Sequence, residues 1–376
     1  MYPDIIAIGI PVMVAFVVFE FLHDLRKKLV NYRINAAISN IGCGIFEQVT
    51  GFISKGLFIA LYVFIYEHWR LNTFANTFWI WVSLVVFVDF VFYFFHRFSH
   101  RCSFLWAGHM VHHEVEEFNL TVALRRSVMQ EFTIIGVYLP FAVLGFSPGA
   151  FFLSFAAHNL YQFLVHTRYS PELKLFGLVF NTPHHHEIHH ARNECYIDKN
   201  FAGVFILWDK LFGTYTEHTE APVFGIGQRT RTLNPVTAQI TTMMLVLQEA
   251  RRRMGWRQKI SALFGPPDYL SVEQPSACSI AASTAVPGRH VSFDPTLSRG
   301  DWWLVGSGFI TLIICTTVYR NYEHAFSTPQ KLFALAIIAS SLYAIGRLLD
   351  NRKSQRLRLA VALPTQRSPN GDRTCN

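Results

Sequence analysis

The chain has 376 residues, of which 51% are hydrophobic and 15% charged, and a formal net charge of +8. A soluble globular protein carries about a quarter charged residues, so this balance excludes an ordinary soluble enzyme and indicates an integral membrane protein. The basic excess lies beside long apolar runs, which fits orientation in a membrane and argues against a nucleic-acid partner.

Residues 5–22 (IIAIGIPVMVAFVVFEFL) are long enough to cross a bilayer, which takes roughly 20 apolar residues, and Arg26, Lys27, Lys28 and Arg33 follow at once. With no basic segment ahead of the run and no small-residue cleavage site, it reads as an uncleaved anchor. The positive-inside rule puts the N-terminus outside and the basic loop in the cytoplasm. Residues 36–66 are apolar but interrupted by Glu47 and Gln48, so an interfacial start and a span from Gly51 to Tyr66 are expected. The next loop is poor in Lys and Arg, as an outer loop should be. Residues 78–95 then return to the cytoplasm and complete an N-terminal transmembrane region, 1–95.

Three histidine blocks follow within a catalytic region, 96–264: HRFSH at His96–His100, HMVHH at His109–His113 and HEIHH at His186–His190. Residues three and four apart share a helix face. His96 therefore points with His100, His109 with His112 and His113, and His186 with His189 and His190. Eight imidazoles suit Fe, Zn, Cu or Ni, and eight are more than one ion needs, so two ions are expected. A structural zinc site is the alternative, although four ligands usually close such a site. Asp89, Tyr93, His96 and His100 step by four, three and four along one face. Asp89 is an ionisable group inside a span, a functional candidate. It either hydrogen-bonds a ligand imidazole from behind or is neutralised by Arg97.

Two short apolar pieces, 132–146 and 149–166, broken at Gly145–Pro148 and with Pro140 inside the first, read as a buried helical hairpin that starts and ends on the cytoplasmic side. Its second piece carries His158, Gln162 and His166 at four-residue steps. His166 emerges at the level of the other blocks, whereas His158 lies two turns deeper, about 12 Å at 1.5 Å per residue. His166 is thus the better ninth ligand and His158 a polar lining or core residue. The run 198–215 (DKNFAGVFILWDKLFGTY) is either an interfacial lid or ordinary core. A basic helix is expected over Glu249–Lys259, resting on anionic headgroups. Residues 265–301 read as a linker, 302–348 as a C-terminal transmembrane pair and 349–376 as a basic, disordered tail. The six cysteines are scattered without a CxxC pair, which argues for a reducing compartment and against cysteine ligation. The expected fold is therefore all-α: a polytopic membrane helical bundle with a His-rich di-metal cap on the cytoplasmic face.

The segments FYFFHRFSH, LWAGHMVHHEVEEFNLTVALRRS, LYQFLVHT, NTPHHHEIHHARN and DKNFAGVFILWDKLFGTY, spread over residues 85–215, resemble the fatty acid hydroxylase/sterol desaturase superfamily of membrane di-iron enzymes, in its ether-lipid-cleaving, alkylglycerol monooxygenase-like branch. The resemblance implies that His96, His100, His109, His112, His113, His186, His189 and His190 are ligands to two iron ions, with zinc as the other occupant on purification. Related enzymes carry a further HxxxH between the second and third blocks; here Gln162 replaces its first histidine and His166 keeps the second. His185 is implied as a ligand or a neighbour of one. Asp89, Glu116 and Asn193 are the candidate catalytic residues beside the blocks.

The implied reaction uses O2 and a reductant, tetrahydrobiopterin in this branch, to hydroxylate the ether-linked carbon of an alkylglycerol lipid, giving a fatty aldehyde and a glycerol derivative. A separate electron donor is the alternative, because no cytochrome b5-type HPGG segment is present. The chain departs from the branch at Arg101 (Glu in animal members), at HHEVE (HHSSE) and at LRRS (LRQS), all bordering the expected site. A hydroxylase or desaturase acting on another lipid (fatty acyl, sterol or aminolipid) is therefore a second reading, and a non-catalytic membrane metal-binding protein a third. The membrane would be the endoplasmic reticulum in a eukaryote and the inner membrane in a bacterium.

Overall fold

The computed structural model describes residues 5–29, 31–226, 232–268 and 292–350, the side chains of 5–8 and 52 excepted. Most of the expected linker, the tail from 351, Cys278 and Cys375 lie outside the described residues. Among the described residues the chain is all-helical, and an isolated bridge between Phe180 and Phe205 is the one β-type pairing.

The first helix, α1 (Ile5–Lys27), covers the first apolar run and exposes Val12, Val14, Phe16, Val18 and Phe19. Its last turns bury Glu20 and Asp24, so the helix plunges into the polar end of the molecule. α2 (Ile34–Trp69) is one 36-residue element. Its second half agrees with the span expected from about Gly51 to Tyr66. The halves Ile34–Gly51 and Ile53–Trp69 meet at 49°. The hydroxyl of Thr50 donates to the Phe46 carbonyl at 2.6 Å just before Gly51, a side-chain intrusion of the kind that bends helices.

α3 (Phe78–Arg101) is a candidate membrane span of 24 residues. It buries Leu84, Val88, Asp89, Phe92, Tyr93 and His96 and turns Phe78, Trp79 and Phe87 outward. The apolar half of its buried face packs on Phe58 and Tyr62 of α2 and on the expected hairpin. That hairpin consists of α5 (Val128–Tyr138), α6 (Pro140–Leu144) and α7 (Pro148–Leu164). Pro140 separates α5 from α6 for the reason expected: it lacks the N–H that would continue the helical ladder. The turn docks against the loop after α2, and Gly145 at φ +104° is needed there. A Cβ at this position would stand 2.0 Å from the Asn72 carbonyl oxygen. Tyr62 stacks on Phe151 with ring centroids 4.6 Å apart and donates to the Phe146 carbonyl at 3.0 Å.

Cys102 alone separates α3 from α4 (Ser103–His113). α8 (Pro183–His189) opens with Thr182 as its cap and Pro183 in the first turn, a start suited to both residues. α9 (Leu207–Phe212) packs Trp208 and Phe212 against Phe90 of α3 while Leu207 and Leu211 face outward. The expected basic helix is two: α10 (Pro235–Arg252) ends before Gly255, and α11 (Trp256–Phe264) begins after it. α12 (Arg299–Tyr322) and α13 (Thr328–Leu349) form the expected C-terminal pair and share a second core with α2. By length and composition α3, α12 and α13 can cross a membrane, and the bent α2 is a fourth candidate.

Candidate metal centre

The ends of α3, α4, α7 and α8 meet, and nine imidazoles sort into two groups. His96, His100, His109, His113 and His189 form one; His112, His166, His186 and His190 form the other. Within each group the ligand-capable atoms lie within 4.8 Å of one another. All eight histidines of the three blocks are included, and so is His166. Each HxxHH block is divided: His109 and His113 face one group and His112 the other, while His189 faces the first and His186 and His190 the second.

The contacts are between Nε2 atoms. In the first group His96 stands 2.9 Å from His109, His109 3.0 Å from His113 and His113 3.2 Å from His189. In the second, His112 stands 3.1 Å from His166, His166 3.0 Å from His186 and His186 3.2 Å from His190. A metal–nitrogen bond is about 2.1 Å, so nitrogens at right angles around one ion stand about 3.0 Å apart.

The opposite ring nitrogens show why these are not ordinary hydrogen bonds. His96 Nδ1 donates to the Phe201 carbonyl at 2.7 Å, His189 Nδ1 to the Lys199 carbonyl at 2.9 Å and His166 Nδ1 to the Gln162 carbonyl at 2.6 Å. His109 Nδ1 meets Gln130 Oε1 at 3.2 Å. A neutral imidazole that donates at Nδ1 carries a bare lone pair at Nε2. His96 and His109 therefore point two lone pairs at each other, an arrangement that calls for a cation between them. His100 Nε2 is buried without a hydrogen-bond partner, a further atom suited to an ion.

Burial also keeps the rings neutral. It lowers His109 and His166 to about 4 and His189 to about 3. His112, His113, His186 and His190 lie well below the usual histidine range, through burial first and neighbouring imidazoles second. Neutral nitrogen is the form that binds metal. The described cysteines Cys43, Cys102, Cys195 and Cys315 are unpaired and belong to neither group.

The other expected site residues sit elsewhere. His185 stays outside both groups; its ring takes the Thr182 amide at 3.3 Å and meets Tyr215 edge-on. Asp89 is fully buried, yet no contact links it to an imidazole of either group. It accepts from His158 Nε2 at 2.8 Å, from the amides of Val204 and Phe205 at 2.7 and 2.9 Å, and from Trp208 Nε1 at 2.8 Å. Arg97, its other expected partner, donates instead to the Tyr93 hydroxyl. Glu116 accepts from the Phe293 amide at 2.6 Å and lies 3.6 Å from Arg33. Asn193 clamps its own loop to Ala221 and Val223. Arg101 faces Asp198 at 3.4 Å, and Arg126 pairs with Glu131 at 3.0 Å.

Sequence reasoning missed Asn200 and Asp209, both fully buried. The available signal was the DKN tripeptide, since Asp and Asn tolerate the left-handed backbone. Asp198 and Asn200 adopt it, at φ 58° and 54°.

Comparison with known proteins agrees with this geometry. A fatty acid hydroxylase family model matches residues 81–214, the stretch that carries all nine histidines. An alkylglycerol monooxygenase of Homo sapiens is 30% identical over 361 residues, covering 93% of this chain and 79% of that protein. One of Xenopus tropicalis is 30% identical over 330 residues, covering 86% and 73%. An ornithine lipid hydroxylase of Rhizobium tropici is 25% identical over 151 residues, 40% of this chain and 45% of that protein. No solved structure matches. The histidine spacing, the paired imidazole groups and these relatives together make the chain an oxygenase of the fatty acid hydroxylase family, and it belongs to that family's alkylglycerol monooxygenase-like members.

Proposed function

We propose that this chain is a di-iron lipid monooxygenase of the ether-cleaving type. The observation that carries the reading is the pair of buried nitrogen cages, one of five imidazoles and one of four. His96, His100, His109, His113 and His189 would hold one iron, and His112, His166, His186 and His190 the other. The iron pair would supply dioxygen activation, the chemistry that attacks a strong C–H bond where acid–base groups fail. Tetrahydrobiopterin is the reductant in this reading and supplies the two electrons that the substrate does not.

The chain's own residues hold the lone pairs inward and exclude water. The imidazoles are aimed by the Phe201, Lys199 and Gln162 carbonyls and by Gln130. Phe92 lies against His96 with ring centroids 5.1 Å apart, and Phe118 lies against His166 and His190 at 5.8 and 5.3 Å. These apolar walls suit an alkyl chain drawn from the bilayer. Hydroxylation at the ether-linked carbon of a 1-O-alkylglycerol gives a hemiacetal, which collapses to a fatty aldehyde and a glycerol derivative. Basic residues at the end of α1 (Arg26, Lys27) and of α13 (Arg347) support a cytoplasmic active face.

A second reading, hydroxylation of another lipid with the hydroxyl retained, is favoured by the similarity to an ornithine lipid hydroxylase and by Arg101 and Arg126 at the edge of the site. Membranes carrying the protein, given O2, tetrahydrobiopterin and a panel of lipids, decide between them. Pterin-dependent fatty aldehyde from 1-O-alkylglycerol supports the first, and a hydroxylated lipid without aldehyde supports the second. Bound metal without O2 uptake under any condition would remove both.

A further inference from the structure

The two cages are supported unequally. Three of the five ligands of the larger cage lean on one short stretch, residues 198–201. The Lys199 carbonyl accepts from His189 Nδ1 and the Phe201 carbonyl from His96 Nδ1. Asp198 lies 3.9 Å from His100 Nδ1. The Phe201 ring meets the rings of His96, His100 and His189 at 5.8, 5.1 and 5.6 Å. The smaller cage shares no such stretch: His166 leans on the Gln162 carbonyl of α7 and His112 on the backbone of Arg125.

A carboxylate outside the ligand set holds the stretch in place. Asp209 Oδ1 accepts from the Phe201 amide at 2.8 Å and from the Thr214 hydroxyl at 2.6 Å, and its Oδ2 accepts from the Ala202 amide at 2.8 Å. Asn200 ties the same stretch to Thr214 and Thr216 through its backbone and side chain. The left-handed residues Asp198 and Asn200 flank Lys199. For residues with a Cβ that conformation persists only where the surroundings enforce it.

We propose that Asp209 is a positioning residue for one of the two ions: by fixing the Lys199 and Phe201 carbonyls it aims His189 and His96 and so loads the five-imidazole cage selectively. Loss of a group that orients a ligand from behind typically costs about 10- to 100-fold in metal affinity. Here that loss falls on one cage and spares the other. The inference rests on the two-ion reading.

The test is iron content per chain in the full-length protein, purified in detergent, reconstituted with Fe(II) and dialysed against graded chelator. Wild type is expected to hold two ions, and Asp209→Asn to lose one at chelator concentrations about 10- to 100-fold lower while retaining the other. Mössbauer spectra should then show an isolated ion in place of a coupled pair. Thr214→Val removes a single donor to Asp209 and is expected to shift the same ion in the same direction by less, which keeps the test available should Asp209→Asn fail to fold. Asp24→Asn alters a buried carboxylate on α1 whose partners are the Asn31 amide and the Tyr169 hydroxyl, and is expected to keep both ions. Two firmly held ions in Asp209→Asn, or parallel loss of both ions, would overturn the inference alone. A wild-type chain that takes up only one ion would overturn the two-ion reading and this inference with it.

Discussion

Nε2 of His96 faces Nε2 of His109 across 2.9 Å, and each ring's other nitrogen is already engaged, with the Phe201 carbonyl and with Gln130. Neither ring holds a proton to share, so their proximity answers to a cation. His112, three residues along the same helix from His109, belongs with His166, His186 and His190 instead.

Substitution of single histidines should therefore deplete the cages separately. His96→Ala is expected to lose the ion of the five-imidazole cage and His112→Ala that of the four-imidazole cage, each leaving about one ion per chain by elemental analysis. Turnover in His112→Ala should fall by more than the roughly 100-fold that loss of an outer partner costs, with membrane insertion intact. Normal turnover in that variant would contradict its assignment as a ligand.

Acid should destabilise the metal-free protein over a defined window. The folded values for His109 and His166 lie near 4 and that for His189 near 3, against about 6.5 in an unfolded chain. Because the folded pKa is depressed, the unfolded state binds more protons between these values. Stability is complete above about pH 6.5 and declines as the pH falls toward 4. Thermal melts of the apoprotein at pH 7.5, 6 and 5 should show successively lower midpoints; a flat profile would mean the imidazoles are not buried neutral.

Asp89→Ala should be a folding variant. The substitution strands His158, two backbone amides and the Trp208 indole, all of which donate to this carboxylate. Leaving a buried donor without its acceptor costs about 1–3 kcal/mol, and four are stranded at once. A melting temperature close to wild type, with activity lost, would instead restore a catalytic role for Asp89.

Gly203→Ala probes the same junction sterically. A Cβ there would stand 2.5 Å from His158 Nε2 and 2.6 Å from Asp89 Oδ1. The carboxylate is pinned by four donors and cannot yield freely, so a loss of about 1–3 kcal/mol is expected. Chemical unfolding in detergent measures it, and wild-type stability would show that the junction has slack.

Much of the centre was legible in the chain itself. Three histidine blocks at helical spacing selected the metal chemistry, and Pro140 and Gly145–Pro148 marked the hairpin that returns His166 to the same level. Less of the surrounding structure was legible. Asp89 shares a helical face with His96, but a shared face does not establish a partner; the partners came from His158 of α7 and from residues 204–208, more than a hundred residues away. The interruption at Glu47 and Gln48 marked the change near Gly51, but not that the helix continues through it as a 49° bend.

By itself, the sequence determined that nine imidazoles would gather beside a bundle of apolar helices. Only the tertiary structure decided how they divide. Steps of three and four residues turn a helix by about −60° and +40° from the starting side chain, so both neighbours of His109 share its general face while diverging by about 100° from each other. Which of them joins His109 depends on where the opposing helices bring their own nitrogens, a fact of packing that no local spacing encodes.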